Sequence, residues 1–423
     1  MIEISKILLI FPIFLIFIFV PFPIFDKMNN KLNIELLNFN LIINCNILLV
    51  LSLINFKIKD YQLFLFILYV SIFTYYLLKS KKKILIISND LIIVFFSFFI
   101  FGCVIANNLD LGWDAKYFYY IKSLFFYEGL YISDLSQFEH NKWHPHLGSY
   151  FWAFFWSIPF FDIEYFGRLF YLFIFCFAIY FITFNSGKTL LINRILFFSL
   201  LLITFNYERF SGLQEIILFS FLMISSKILY DLKITNKIFS ISAILLITNL
   251  LLWVKSEGIV YGFFITTILI INRNINFKEK LLILLIFIFL VSFKSFVFNY
   301  YSIELTAQPY NLAFIEQIDF NQFIHRLKNL VIYGGYYSLK NILFLVSLII
   351  IIKLKFSKNK KINTNNFLVY FILNVSFIFF AYILRDMEII YSLKTTLERI
   401  IFTSSAFYIY LIILYINYKI KIN

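Results

Sequence analysis

Ile7–Phe25, Leu281–Val291 and Ile342–Ile352 are nearly unbroken runs of Ile, Leu, Phe and Val. Backbone amides and carbonyls cannot be left bare in a hydrocarbon layer, so runs of this kind cross a bilayer as helices or not at all. A spanning helix takes about 20 such residues. No polar-in, apolar-out alternation suggests a β-barrel instead. Charged residues are 14% of the 423 and hydrophobic ones 62%, with a mean hydropathy of +0.87. A soluble domain carries roughly 25% charged residues. The fold class is therefore all-α, a polytopic transmembrane helical bundle.

Segments of spanning character fall at 4–25, 34–55, 61–79, 90–107, 165–184, 190–206, 213–230, 238–254, 258–272, 280–299, 338–352, 366–384 and 400–417. That makes about 13 spans of the length a bilayer requires. The second is the least apolar, because Asn38, Asn40, Asn44 and Asn46 dilute it. The first lacks a small-residue cleavage site and reads as a retained span rather than a removed signal peptide. The resulting organisation is N-terminal spans over 1–107, a first large loop at 108–164, central spans over 165–299, a second loop at 300–337, and C-terminal spans over 338–423.

The formal charge of +14 suggests a nucleic-acid binder, but the basic residues sit in short clusters between apolar segments. Clusters of that kind orient a membrane protein with its positive loops inside. Lys79 with Lys81–Lys83, Arg273 with Lys278 and Lys280, Lys353 through Lys361, and Lys419 with Lys421 mark the cytoplasmic side. Counting crossings from these anchors puts 108–164, 300–337 and 385–399 outside, with the turns at 207–212 and 255–257. The count requires that 147–160 not cross the membrane, and it is short for a core of about 30 Å. Cys45, Cys103 and Cys176 lie within apolar stretches at no metal-binding spacing and read as packing residues.

The first outer loop holds most of the chemistry-bearing residues. From Gly112 an amphipathic helix is expected, with Tyr117, Phe118, Tyr120, Ile121, Leu124 and Phe125 toward the membrane surface. Lys116, Lys122 and Ser123 point away from it, and Gly129 ends it. Asp114 at its start suits either a helix cap or a general base. Farther on, His140, His144 and His146 fall within seven residues. They suit a divalent metal or equally a loop bonded to a sugar or phosphate.

The order Trp113-Asp114-Ala115, Lys122-Ser123, His144-Pro145 resembles the GT-C superfamily of membrane glycosyltransferases. The closest likeness is to the dolichyl-phosphate-mannose mannosyltransferase-like and RgtA/B/C/D-like group. Ser123 replaces an alanine usual in that group, and His146-Leu147-Gly148 stands where Asp-Tyr-Pro is usual. Four later elements continue the resemblance: Gly167-Arg168, Ser211-Gly212-Leu213-Gln214-Glu215, Lys255-Ser256-Glu257-Gly258 and Leu397-Glu398-Arg399. It covers roughly 100–410 in order, each motif being short by itself.

The resemblance implies transfer of a sugar from a polyprenyl-phosphate carrier to a glycan, lipid or protein acceptor, at the periplasmic face of a bacterial inner membrane. A phosphate leaving group is already a weak base. Such a transfer therefore needs one carboxylate to take the acceptor's proton and cations to hold the phosphate, unlike a glycosidase with its two carboxylates. Asp114 is the expected base, with Asp110 in reserve. Lys255 and Arg399 are the expected phosphate ligands, and Lys122, His144, His146, Glu215 and Glu257 the further substrate-loop candidates. No resident cofactor is expected, a divalent cation being compatible with the histidines. The rivals are an O-antigen-type polymerase and a lipid flippase or transporter. A transporter would carry its charges near mid-membrane, between paired broken helices.

Overall fold

A computed structural model describes residues 4–22, 33–79, 89–138, 143–159, 161–184, 190–304, 319–356, 362–385 and 387–422. Every regular element among them is helical. Eight helices are long and apolar enough to cross a membrane, or nine if the bent pair Phe320–Lys340 and Ile342–Lys355 is one span. The segments expected at 4–25, 190–206 and 258–272 form the shorter helices Ser5–Phe19, Leu191–Thr204 and Gly258–Ile271. The one expected at 213–230 is the 16-residue helix Glu215–Tyr230. The segment 147–160 contains a helix of only 10 residues, Leu147–Trp156, buried on all sides but its last residue. At 1.5 Å per residue it rises about 15 Å, half a bilayer core.

The chain forms two compact units. The first comprises Met1–Ile217, Asn249–Gly258 and Leu290–Leu305. At its centre the helix Tyr165–Phe184 is buried along its length. It is packed by Ile4–Phe19, Asn89–Asn107, Leu147–Trp156 and Leu190–Thr204. Lipid tails are as apolar as Phe, so cohesion here comes from close packing rather than escape from water. Phe14, Phe155, Phe170 and Phe173 interlock edge to face or offset, with Phe155 and Phe170 only 3.9 Å apart.

Asparagines that make 34–55 look weak as a span have a structural task. The first helix ends at Phe19, leaving its last carbonyls open. Asn40 donates to the carbonyls of Ile18 and Phe22, and Asn44 to that of Val20. Tyr69 in turn donates to Asn44 Oδ1 at 2.7 Å. The helix Ile34–Leu53 is intact, with Asn38, Asn40 and Asn44 buried.

The second unit comprises Leu218–Thr248, Ile259–Phe289 and Thr306–Asn423. Its core is tied by stacked pairs, Tyr370 with Phe407 at 4.1 Å and Phe219 with Phe402 at 4.5 Å. A partly buried polar knot joins Lys227, Asp231 and Tyr410. The segment expected as loop 300–337 contains a 21-residue helix, Phe320–Lys340, set at 96° to Ile342–Lys355. Arg326 and Lys328 conceal it from a search for apolar runs, yet Phe320, Ile324, Leu327 and Val331 recur at helical spacing.

Candidate functional site

In the first unit the Trp113-Asp114-Ala115 turn is seated against the Ser211-Gly212 turn. The Gly112 amide donates to the Ser211 carbonyl at 3.1 Å and to its Oγ at 3.0 Å. Gly212 has φ +94°, a conformation other residues rarely adopt. A Cβ there would lie 2.9 Å from that of Ala115 and 2.5 Å from the Trp152 ring. Asp114 lies inside the helix at φ −60°, ψ −36°, and makes no side-chain cap bond. The capping role open to it in the sequence is therefore not the one it has. It is half-buried.

From Ala115 to Tyr120 the helix is π-wound, a deviation that costs regular bonding and often accompanies function. Ala115, Tyr119, Lys122, Ser123 and Phe126 turn inward, while Trp113, Tyr117 and Ile121 stay exposed. Lys122 points away from the apolar face, as its spacing implies, but into protein rather than water. Gly129, at φ +89°, ends the helix.

Lys122 is fully buried and its Nζ donates to the His144 carbonyl at 2.6 Å. Burial pushes its amine down to about 7. The His144 ring lies 5.3 Å from Phe118 and 6.0 Å from Tyr119. Burial first, and then the charges of Lys122 and Lys255 against Glu257 and Glu215, push His144 down to about 3. His146 is buried completely, pairs through Nε2 with Ser52 Oγ at 2.8 Å, and faces Trp253 edge-on. Burial, with Lys122 and Lys294 nearby, pushes it down to about 3 as well. Both imidazoles are neutral at pH 7. No three His, Cys, Asp or Glu among the described residues are grouped to hold a metal, and His140 lies outside the described residues.

Lys255 sits just beyond the helix Lys237–Val254. Its Nζ is 2.8 Å from Glu215 Oε1 and 3.4 Å from Glu257 Oε1. Lys255 and Glu215 are buried and Glu257 is half-exposed. Gly258 is required here, because a Cβ would strike the Leu251 carbonyl. Gln214 brings the elements together. In the amide orientation that satisfies both ends it donates to the Val254 carbonyl at 2.5 Å and accepts from the Ser149 amide at 3.0 Å. Asp110 is exposed, its carbonyl accepting from Tyr207 at 2.7 Å. Arg168 of the Gly-Arg element is buried and paired with Glu164 at 3.0 Å, which also takes the Trp152 indole hydrogen. That element is structural.

Arg399 belongs to the second unit. It is half-buried in the first turn of Glu398–Ile422, immediately after a π-wound turn at Leu393–Leu397. Its neighbour Glu398 pairs with Lys340 at 3.1 Å.

One first unit thus assembles Asp114, Lys122, His144, Glu215, Lys255 and Glu257 from four separate stretches. Sequence reasoning gave Gln214 no role of its own and missed Ser52 and Lys294, the last donating to the Leu252 carbonyl at 2.6 Å from a buried position. A lone lysine near the end of an apolar run was a signal for it.

Comparison with models of protein families, with curated proteins and with solved structures yields no match. Fold and composition define the class: an all-helical, multi-pass membrane protein in contact with lipid.

Proposed function

We propose that the chain is an inverting glycosyltransferase of the GT-C type, moving a sugar from a polyprenyl-phosphate donor to a glycan, lipid or protein acceptor. On this reading it works at the periplasmic face of a bacterial inner membrane, with 108–164 outside. The observation that carries the proposal is convergence. The Asp114 turn, the His144 loop, the Ser211–Glu215 turn and the Lys255–Glu257 turn are far apart in sequence and packed together in one unit. The same four stretches carry most of the resemblance to membrane glycosyltransferases.

Asp114 acts as the base that takes the acceptor's proton. It lies half-buried at the start of a deformed helix. Lys255 is held by two carboxylates, so it meets a phosphate by exchanging the looser one, Glu257 at 3.4 Å, while Glu215 keeps it in place. That exchange lets Lys255 offset charge on the leaving phosphate. The neutral His144 and His146 shape the wall and carry no charge to repel or bind the donor.

Asp114→Asn tests the base. Asn matches Asp in size and still offers an amide oxygen as acceptor, so the variant should insert and fold normally. It should lose transfer from a labelled polyprenyl-phosphate sugar by about 10²–10⁴. Wild-type turnover at equal expression would overturn the assignment and move the test to Asp110→Asn.

A further inference from the structure

A cleft of about 480 Å³ opens in the second unit, and none of the residues assigned above lines it. It is lined by Asn321, Gln322, His325 and Arg326 from the start of Phe320–Lys340, and by Glu388 and Ile389 from the start of the short helix Ile389–Ser392. We infer that this cleft binds a neutral, hydroxyl-rich carbohydrate head group at the membrane surface.

The cleft is built rather than incidental. Arg326 is buried, and its guanidinium donates to the carbonyls of Tyr382, Ile383, Arg385 and Met387 at 2.8–3.4 Å. It thereby fastens the two walls. Glu388 is fixed as well, because its carboxylate accepts from the amides of Ile390 and Tyr391. The walls are held while Asn321, Gln322 and His325 remain exposed.

Lining chemistry selects the ligand. Two side-chain amides offer donors and acceptors together. Asn329 Nδ2 lies 3.2 Å from His325 Nε2 and steadies the ring. Glu388 keeps spare acceptor capacity, as each carboxylate oxygen takes more than one hydrogen bond. An anion meets the Glu388 carboxylate and a cation meets Arg326, so a ligand with net charge is opposed by one wall or the other. A sugar suits both, its hydroxyls donating to Glu388 and accepting from the amides, with Ile389 against a ring face. The volume is that of a small-molecule site.

Position adds the membrane. The same helix exposes Phe320, Ile324, Val331, Ile332, Tyr336 and Leu339 alongside Asn321, Gln322, His325 and Lys328. A helix that exposes large apolar and polar side chains together suits a membrane interface, apolar groups in lipid and polar groups in water. The head group therefore arrives as a glycolipid or as a free saccharide from the aqueous side. The choice of carbohydrate deepens the transferase reading and rests on it.

The test reads binding, not turnover. The full chain is reconstituted in phosphatidylethanolamine–phosphatidylglycerol nanodiscs. It is photolabelled with diazirine-bearing monoglucosyl- and monogalactosyl-diacylglycerol, with a phosphatidylglycerol of identical chains as control. Glycolipid should label the peptides around 319–326 and 387–391 saturably, about ten-fold above the control. Asn321→Ala with His325→Ala should lower labelling by a similar factor, equivalent to about 1.4 kcal/mol. Competition by maltotriose or lactose means the free head group suffices; its absence with saturable labelling means the anchored form is required. Equal labelling by phosphatidylglycerol, no saturable labelling, or labelling indifferent to the two substitutions would each overturn the inference. Sugar transfer without labelling sinks this site alone, and labelling without transfer sinks the transferase reading alone.

Discussion

At Lys255 two carboxylates within 3.4 Å share one ammonium, and the closer pair is buried. Removing one member of such a pair strands the other, at about 3–5 kcal/mol, whereas removing both costs far less. Glu215→Gln and Lys255→Met should each lower the melting temperature in detergent, and the double variant should recover part of the loss, as read by differential scanning fluorimetry. Additive losses would mean that the two side chains do not act as a pair. Lys122 sets a pH dependence of definite sign. Its amine titrates near 7 when folded and near 10.5 when unfolded. Between those values the unfolded chain binds the extra proton, so stability rises with pH across that window. His144 and His146, held down to about 3 from 6.5, act at the other end. Their contribution is complete above 6.5 and is lost as pH falls toward 3. Melting temperatures from pH 7 to 10 should rise less steeply in Lys122→Met than in the wild type, and equal slopes would remove Lys122 as the cause.

Among the helices, the polar residues inside apolar segments decide how ends are closed. Asn44→Leu makes 34–53 more hydrophobic yet leaves the carbonyls at the end of Ile4–Phe19 short of a donor. Hydrogen bonds between membrane helices average about 0.6 kcal/mol and reach about 1.7. A loss of about 1 kcal/mol in a denaturation titration is therefore expected, and a gain would show that Asn44 only dilutes the span. Arg326 closes another helix end, where four carbonyls converge on its planar fork. Arg326→Lys keeps the charge but not the fork. It should destabilise the second unit by about 2 kcal/mol, since hydrogen bonds to charged groups are worth about 1.5–3. Limited proteolysis around 385–388 is the measurement, and unchanged cleavage would leave the charge alone as sufficient.

For the molecule in its membrane, the lysine clusters dictate orientation. With Cys45, Cys103 and Cys176 replaced, Gln137→Cys should react with an impermeant maleimide in intact spheroplasts. Asn363→Cys should react only after lysis. Both positions are exposed. The reverse pattern would invert the topology and place the Asp114 site on the cytoplasmic side. The same residues show how far the sequence carried. Asp114, His144, Glu215 and Lys255 were each visible as polar residues at the edges of apolar segments. That Lys122 donates to the His144 carbonyl was hidden, because its spacing gives its face of the helix but not the distant loop packed against that face.

Composition and apolar run length alone determined that this is a helical membrane protein, since a chain so poor in charge can close its backbone bonds in lipid in no other way. Local pattern also determined the end of the first loop helix at Gly129 and the shortness of 147–160. Tertiary structure decided the partners. Glu215 rather than adjacent Glu257 lies nearest Lys255, 40 residues away in sequence, and Asn40 and Asn44 serve a neighbouring helix instead of weakening their own. It also decided that 320–340 is a helix bent from the next by 96°. Spacing along a chain records which face a residue occupies, whereas the group that meets that face is fixed only when distant segments pack and each buried polar atom must find a partner.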